Sequence, residues 1–575
     1  MLKLSRFLSP YQWLIGGVLV VLLLQSIAEL YLPTLMADII DTGVVKGNVP
    51  YIWRVGEVML LVALGSAACA VIASYLSARV GVGYGRDLRR MVFTRVESYS
   101  LHEFDKLGTA TLITRSTNDV TQVQNVTIMI LRMVVSAPIM AVGGLIMAVN
   151  KDAQLTLVLV IAIPVLVGLI LIIFTRGMPL FKALQKKLDR VNLVLREGLT
   201  GIRVVRAFDR VSYEQGRFED ANRDLTNTSI RVNQIMAFLM PAMMLTMNIT
   251  TLVIVWFGGL RIDAGHMQVG GLFAFMQYAM QILFSMVMMS IMFIMLPRAE
   301  VSAVRINEVL ETVPEINDPV TPAAAPVTRG YLRFDDVSFS YHGAEQPALS
   351  HISFEARPGQ VTAIIGGTGS GKSTLVNLIP RFYDVQSGRV LIDGVDIRSI
   401  TQEDLRSRIG FVPQKAVLFT GSIADNISYG ADGVTDDKIR RAATVAQAME
   451  FIKDLPEGLE ANVAQGGANL SGGQKQRLSI ARALARRPEV YVFDDSFSAL
   501  DFKTDSLLRA ALKPETSDAT VLIVAQRVST VMTADQIVVL DDGRVAGLGD
   551  HHTLMGSCPV YREIVESQLS QEEYA

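Results

Sequence analysis

Cysteine is nearly absent: Cys69 and Cys558 are the only two in 575 residues. One lies in an apolar run and the other near the C-terminus, so no disulfide framework is expected. Charge is scarce as well. Asp, Glu, Lys and Arg make up 19% of the chain and nearly cancel, leaving a net −2. So balanced a chain has no global affinity for polyanions, and nucleic acid is not an expected partner. Half of the residues are apolar. That is too many for a soluble enzyme of this length and points to membrane spans. The first apolar run lacks a small-residue cleavage site, so it is expected to stay as an anchor.

Six apolar stretches follow one another, at residues 13–32, 55–76, 128–149, 155–174, 235–260 and 270–296. Each is about long enough to cross a bilayer. No stretch of alternating polarity interrupts them, so a membrane domain of six helices is expected over residues 1–310. Glu29 falls near the far end of the first. Two long polar segments, 79–126 and 176–231, are rich in Lys and Arg. The short links carry only Lys151 and Arg261. Positive charge is retained inside, which puts the long segments, both termini and everything after the sixth span in the cytosol of a multi-pass plasma-membrane protein. Leu184, Leu188, Val191, Leu195 and Leu199 keep helical spacing, so these segments read as extensions of the spanning helices.

Spans five and six are rich in methionine, among them Met236, Met243, Met280 and Met288. Methionine serves adaptable binding surfaces and also fills lipid-facing positions, and both readings stand. Asn248, Gln277 and Gln281 are polar residues in the same spans, where polar groups face a cavity or another helix. None of this identifies a substrate.

A Pro/Ala/Thr-rich stretch has linker composition, and the linker is placed at 311–330. From residue 331 the pattern becomes short strands and turns, an α/β domain over 331–575. Its centre is Gly366-Gly367-Thr368-Gly369-Ser370-Gly371-Lys372-Ser373-Thr374. An apolar strand precedes this run and an apolar helix start follows it, the context of a P-loop. Curled backbone N–H groups and a helix N-terminus cradle phosphate. Lys372 is placed to reach the β- and γ-phosphates of ATP, and Ser373 to bind Mg²⁺. Asp494 ends the apolar run 490–493, where a Mg²⁺-binding carboxylate belongs. Between the two lies Leu470-Ser471-Gly472-Gly473-Gln474.

With these motifs in this order, the whole chain resembles an ATP-binding-cassette exporter half-transporter, six spans fused to one ATPase domain. The resemblance implies an adenine-stacking role for Tyr341, a Mg²⁺-contacting glutamine at Gln414, the signature at 470–474 and the D-loop at 498–501, ending in Asp501. It implies that two such chains pair, so that Ser471, Gly473 and Gln474 complete the ATP site held by the partner. It further implies coupling helices in the two cytosolic segments, assigned to 109–118 and 211–218.

Three departures stand out. The family has Glu after the Walker B aspartate; this chain has Asp495. The family's switch histidine is Gln526, and Gln465 stands where Glu is usual before the signature. Asp is one methylene shorter than Glu, and a misplacement near 1 Å costs on the order of 10²-fold in rate. Gln cannot carry a proton as His can. The pattern resembles the degenerate-site subunit of heterodimeric bacterial exporters. It implies ATP-driven export of amphipathic drugs, lipids or peptides, with slow hydrolysis at this chain's own site. A homodimeric exporter, or an exporter fold that imports or gates a channel, is the alternative.

Overall fold

The structure is a computed structural model and describes residues 2–323, 330–431 and 433–568. Residues 324–329, inside the expected linker, lie outside the described residues. The chain forms two compact units. One comprises Met1–Glu97 and Thr109–Thr312, the other Ser98–Gly108 and Val313–Ala575.

In the first unit six helices are long and apolar enough to cross a membrane: Lys3–Val44, Val49–Glu97, Thr109–Lys151, Thr156–Thr200, Val211–Asp263 and Val269–Met289. The sixth runs on to Glu311. The second has 49 residues, about 74 Å at 1.5 Å per residue, well over twice the hydrocarbon thickness. The helices therefore continue far beyond any bilayer, as the leucine spacing in the polar segments predicts. Exposed positions on the fourth helix are apolar, for example Leu157, Ile161, Val165 and Leu171. One buried cluster, with Leu30, Ala148, Leu159, Ile254 and Tyr278, draws on the first, third, fourth, fifth and sixth helices. Because lipid tails are as apolar as leucine, polar contacts matter here. Tyr278 Oη shares a hydrogen bond with Thr34 Oγ1 at 2.6 Å, Asp41 Oδ1 accepts from the Gly270 amide at 2.6 Å, and Arg261 pairs with Asp152.

In the polar segments short helices form at Leu101–Leu107 and Ile202–Ala207, whereas 109–118 and 211–218 open the long helical paths Thr109–Lys151 and Val211–Asp263. Backbone breaks decide this. Gly108 takes φ 74 and ends the first short helix. Asp209 takes φ 50, after which Val211–Asp263 runs unbroken for 53 residues. Ser100 and Glu103 form a capping box at the start of Leu101–Leu107.

The second unit is built on a six-stranded sheet. Its order is Arg544–Gly549, Gln536–Asp541, Val361–Gly366, Thr520–Val524, Val490–Asp494 and Ile409–Val412. All neighbours are parallel except the first pair. Every residue of Val490–Asp494 and of Thr520–Val524 is buried, which explains their continuous apolar runs: parallel strands are covered on both faces. A second, mainly antiparallel sheet contains Leu332–Phe339, Leu349–Ala356 and Ser387–Ile392.

Candidate functional site

Four of the parallel strands end side by side, and each is followed by a motif. Val361–Gly366 leads into the P-loop, Val490–Asp494 into Asp495, Thr520–Val524 into Gln526, and Ile409–Val412 into Gln414. The crevice beyond the carboxyl ends of such strands is where ligands bind in open α/β sheets.

The P-loop fits a triphosphate. Gly371 has φ 95, and a Cβ there would lie 2.8 Å from the Ala348 carbonyl. A Cβ on Gly366 would collide with the Leu540 carbonyl. Lys372 Nζ donates to the carbonyls of Gly366 at 2.9 Å and Gly367 at 2.6 Å. It is thereby stretched across the mouth of the loop, and Gly367, Thr368 and Gly369 form its rim. Ser370 Oγ is buried without a hydrogen-bond partner, a donor suited to an incoming oxygen anion. Ser373 Oγ donates to Asp494 Oδ1 at 3.1 Å. These two oxygens, from Walker A and Walker B, are the hard ligands Mg²⁺ takes alongside phosphate oxygens and water. Bound there, Mg²⁺ would neutralise charge developing on the transferred phosphoryl group.

The electrostatics agree. Burial holds the Lys372 ammonium below its usual range, opposed by Asp495 and Asp494. Burial likewise raises both Asp494 and Asp495 above the usual carboxylate range. A pocket that strains cation and carboxylates alike favours a ligand bringing phosphate and divalent metal together.

Asp495 is the hub of the candidate hydrolytic residues. It sits at φ 47, and its amide donates to the Val524 carbonyl at 3.0 Å. Its Oδ2 accepts from Gln526 Nε2 at 2.9 Å and from Gln414 Nε2 at 3.3 Å. Two neutral amides thus hold the carboxylate, and no imidazole is near it. Tyr341, 40% exposed, donates to or accepts from Thr374 Oγ1 at 3.0 Å. Tyr383 and Phe339 stand T-shaped to it at 5.4 and 5.0 Å.

The signature stands apart from these groups. Ser471 caps the helix Gly472–Arg486, and Gln474 completes a capping box with it. Their exposed hydroxyl and N-terminal amides form a second anion-favouring helix end. A Cβ on Gly473 would lie 3.2 Å from the Ala499 carbonyl, so the signature packs on the D-loop of its own chain. Asp501 caps the following helix through the Thr504 amide at 3.0 Å. Gln465 falls in a short 3-10 turn before the signature.

Sequence reasoning missed Gln568. Its Nε2 donates to the Gln526 carbonyl at 2.8 Å, and its Oε1 accepts from the Val528 amide at 2.9 Å. The C-terminal helix Pro559–Gln568 thus clasps the loop that carries Gln526. A glutamine at a helix end carries no motif, so only the fold reveals it.

Residues 15–286 match the family described as ABC transporter transmembrane region, and residues 349–498 the family described as ABC transporter. An uncharacterized ABC transporter ATP-binding protein of Mycobacterium tuberculosis is 45% identical over 98% of this chain and 97% of its own length. An ATP-dependent lipid A-core flippase of Chromobacterium violaceum is 32% identical over 95% and 94%. Among solved structures, a bacterial Atm1-family ABC exporter with ATP bound superposes with a TM-score of 0.82 at 27% identity, over 97% of this chain and 99% of that one. The chain belongs to the ABC transporters, as an exporter half-transporter in which a membrane domain of six helices is fused to an ATP-binding ATPase domain.

Proposed function

We propose that this chain is one half of a heterodimeric exporter that moves amphipathic molecules outward across the cytoplasmic membrane. Its own site binds Mg²⁺-ATP and turns over slowly, whereas its signature at 470–474 completes a faster site on the partner. The observation that carries this reading is Asp495, held by Gln526 and Gln414. A working site needs a base whose oxygen reaches the attacking water and a group that can present positive charge. Here the base is short and its partners are neutral. Loop charge supports a cytosolic ATPase domain and cytosolic termini. The relative named as a lipid A-core flippase supports a lipid-like or otherwise amphipathic cargo.

The deciding experiment is steady-state ATPase of the purified chain, alone and assembled with a second half-transporter that co-purifies with it. Strong ATP binding with little turnover alone, and restored turnover in the complex, is expected. Equal turnover in both would leave a homodimer instead.

A further inference from the structure

Two unpaired charges of opposite sign lie within the spanning helices. Glu29, on the helix Gln12–Asp38, lines a cavity of about 300 Å³ with Gln25, Ser136 and Gln281. The helical path runs on through Ile39–Val44, 15 residues past Glu29 or about 22 Å. Glu29 therefore does not lie at the end of its helix. Glu29 Oε1 accepts from Gln25 Nε2 at 2.9 Å and from Ser66 Oγ at 3.5 Å. No cation among the described residues pairs with it. Gln281 donates through Nε2 to the Glu29 carbonyl at 3.5 Å, and its Oε1 is buried with no hydrogen-bond partner.

Arg132 lines an adjoining cavity of about 440 Å³, which shares Gln25, Met133 and Ser136 with the first. Its side chain has no ion pair or hydrogen bond among the described residues. The turn that carries it is a π-helix, Ile130–Val134, an irregularity often found at functional sites. A guanidinium in a spanning helix cannot face lipid tails cheaply, and Arg132 is exposed in the lining of this cavity. Met133, Met140, Phe284 and Met288 supply a soft apolar wall.

We propose that these joined cavities bind an amphipathic zwitterion, its cationic group against Glu29, its anionic group against Arg132 and its apolar body against the methionines. A ligand carrying both charges satisfies two groups that the fold leaves uncompensated. A pure anion meets Glu29 and a pure cation meets Arg132, so each is disfavoured. This names the cargo class of the export reading above and rests on it.

Three dyes with one xanthene core test it: rhodamine B (zwitterion), rhodamine 6G (cation) and sulforhodamine B (net anion). Their binding to the purified full-length chain is followed by fluorescence anisotropy without ATP. Rhodamine B is expected to bind most tightly. Glu29→Gln should weaken rhodamine B and rhodamine 6G roughly tenfold or more, about the worth of one charge contact, and Glu29→Asp should recover part of it. Arg132→Gln should weaken rhodamine B and sulforhodamine B but not rhodamine 6G. Unaltered ATP binding by each variant reports that it is folded. In nanodiscs, displacement of the dye by phosphatidylethanolamine but not phosphatidylglycerol marks a lipid source, and its absence marks a soluble zwitterion. Wild-type binding of none of the dyes, equal binding of all three, or variants that bind as wild type would overturn the assignment. Charge-dependent binding without ATP-driven transport would sink the export reading alone. Transport indifferent to Glu29 and Arg132 would sink this inference alone.

Discussion

Gln526 Nε2 donates to Asp495 Oδ2 at 2.9 Å, joining the switch loop to the position of the catalytic base. Two of the three departures visible in the sequence are thus one contact in space. A glutamine amide and a short carboxylate satisfy each other, which favours a quiet ground state over a base free to take a proton from water.

Asp495→Asn should therefore reduce ATPase of the assembled complex far less than loss of the partner's catalytic carboxylate, which at a working site costs about 10²–10⁴-fold. Asp495→Glu combined with Gln526→His should add turnover at this site. Steady-state ATPase of the complex with each change in turn checks both. If Asp495→Asn halts the complex outright, the binding role assigned to this site is wrong.

Ser471 has two jobs that can be separated. It caps the helix Gly472–Arg486, and it is the proposed contact to the partner's nucleotide. Ser471→Ala should cost about 0.5–2 kcal/mol of stability and also lower ATPase of the complex. Ser471→Asn preserves a cap, so its melting temperature should stay near wild type while ATPase still falls. Full activity in Ser471→Asn would confine Ser471 to capping.

The acidic pair sets a pH dependence. Burial raises Asp494 and Asp495 in the folded chain. A raised carboxyl contributes stability below its unfolded pKa, and that contribution is lost as pH rises through the folded pKa. At neutral pH the nucleotide-free domain thus carries a carboxylate cost that Mg²⁺ offsets. The rise in Tm produced by Mg²⁺-ATP should grow from about pH 5 to about pH 7. Asp494→Asn should flatten that growth while leaving the nucleotide-free Tm equal or higher. Differential scanning fluorimetry across this range is the measurement, and a Mg²⁺ effect independent of pH in wild type would contradict the assignment.

Gln568 should act through the switch loop. Gln568→Ala removes both ends of the clasp on Gln526 and Val528. Each lost hydrogen bond is worth about 0.5–1.5 kcal/mol. The expected result is faster amide hydrogen exchange at 526–528 and altered ATP turnover, with nucleotide affinity nearly unchanged. Unchanged exchange at those amides would reduce Gln568 to surface decoration.

Local chemistry made much of this protein legible from residues alone. Apolar length specifies a spanning helix whatever its neighbours, because unpaired backbone is intolerable in lipid. The run 366–374 specifies its own loop, since glycine backbone and helix start lie within nine consecutive residues. What required the tertiary structure is everything that depends on strands being neighbours. Gln414, Asp495 and Gln526 are far apart in sequence, and they meet because three parallel strands end at one edge. Where the long helices begin was not legible, because helix propensity does not mark where Gly108 and Asp209 turn the backbone left-handed. Glu29 was visible as a charge in an apolar run, whereas Arg132 drew no notice in the sequence. Only the packing of the first, third and sixth helices put them on adjoining cavities, since which face of a spanning helix turns inward is decided by its neighbours.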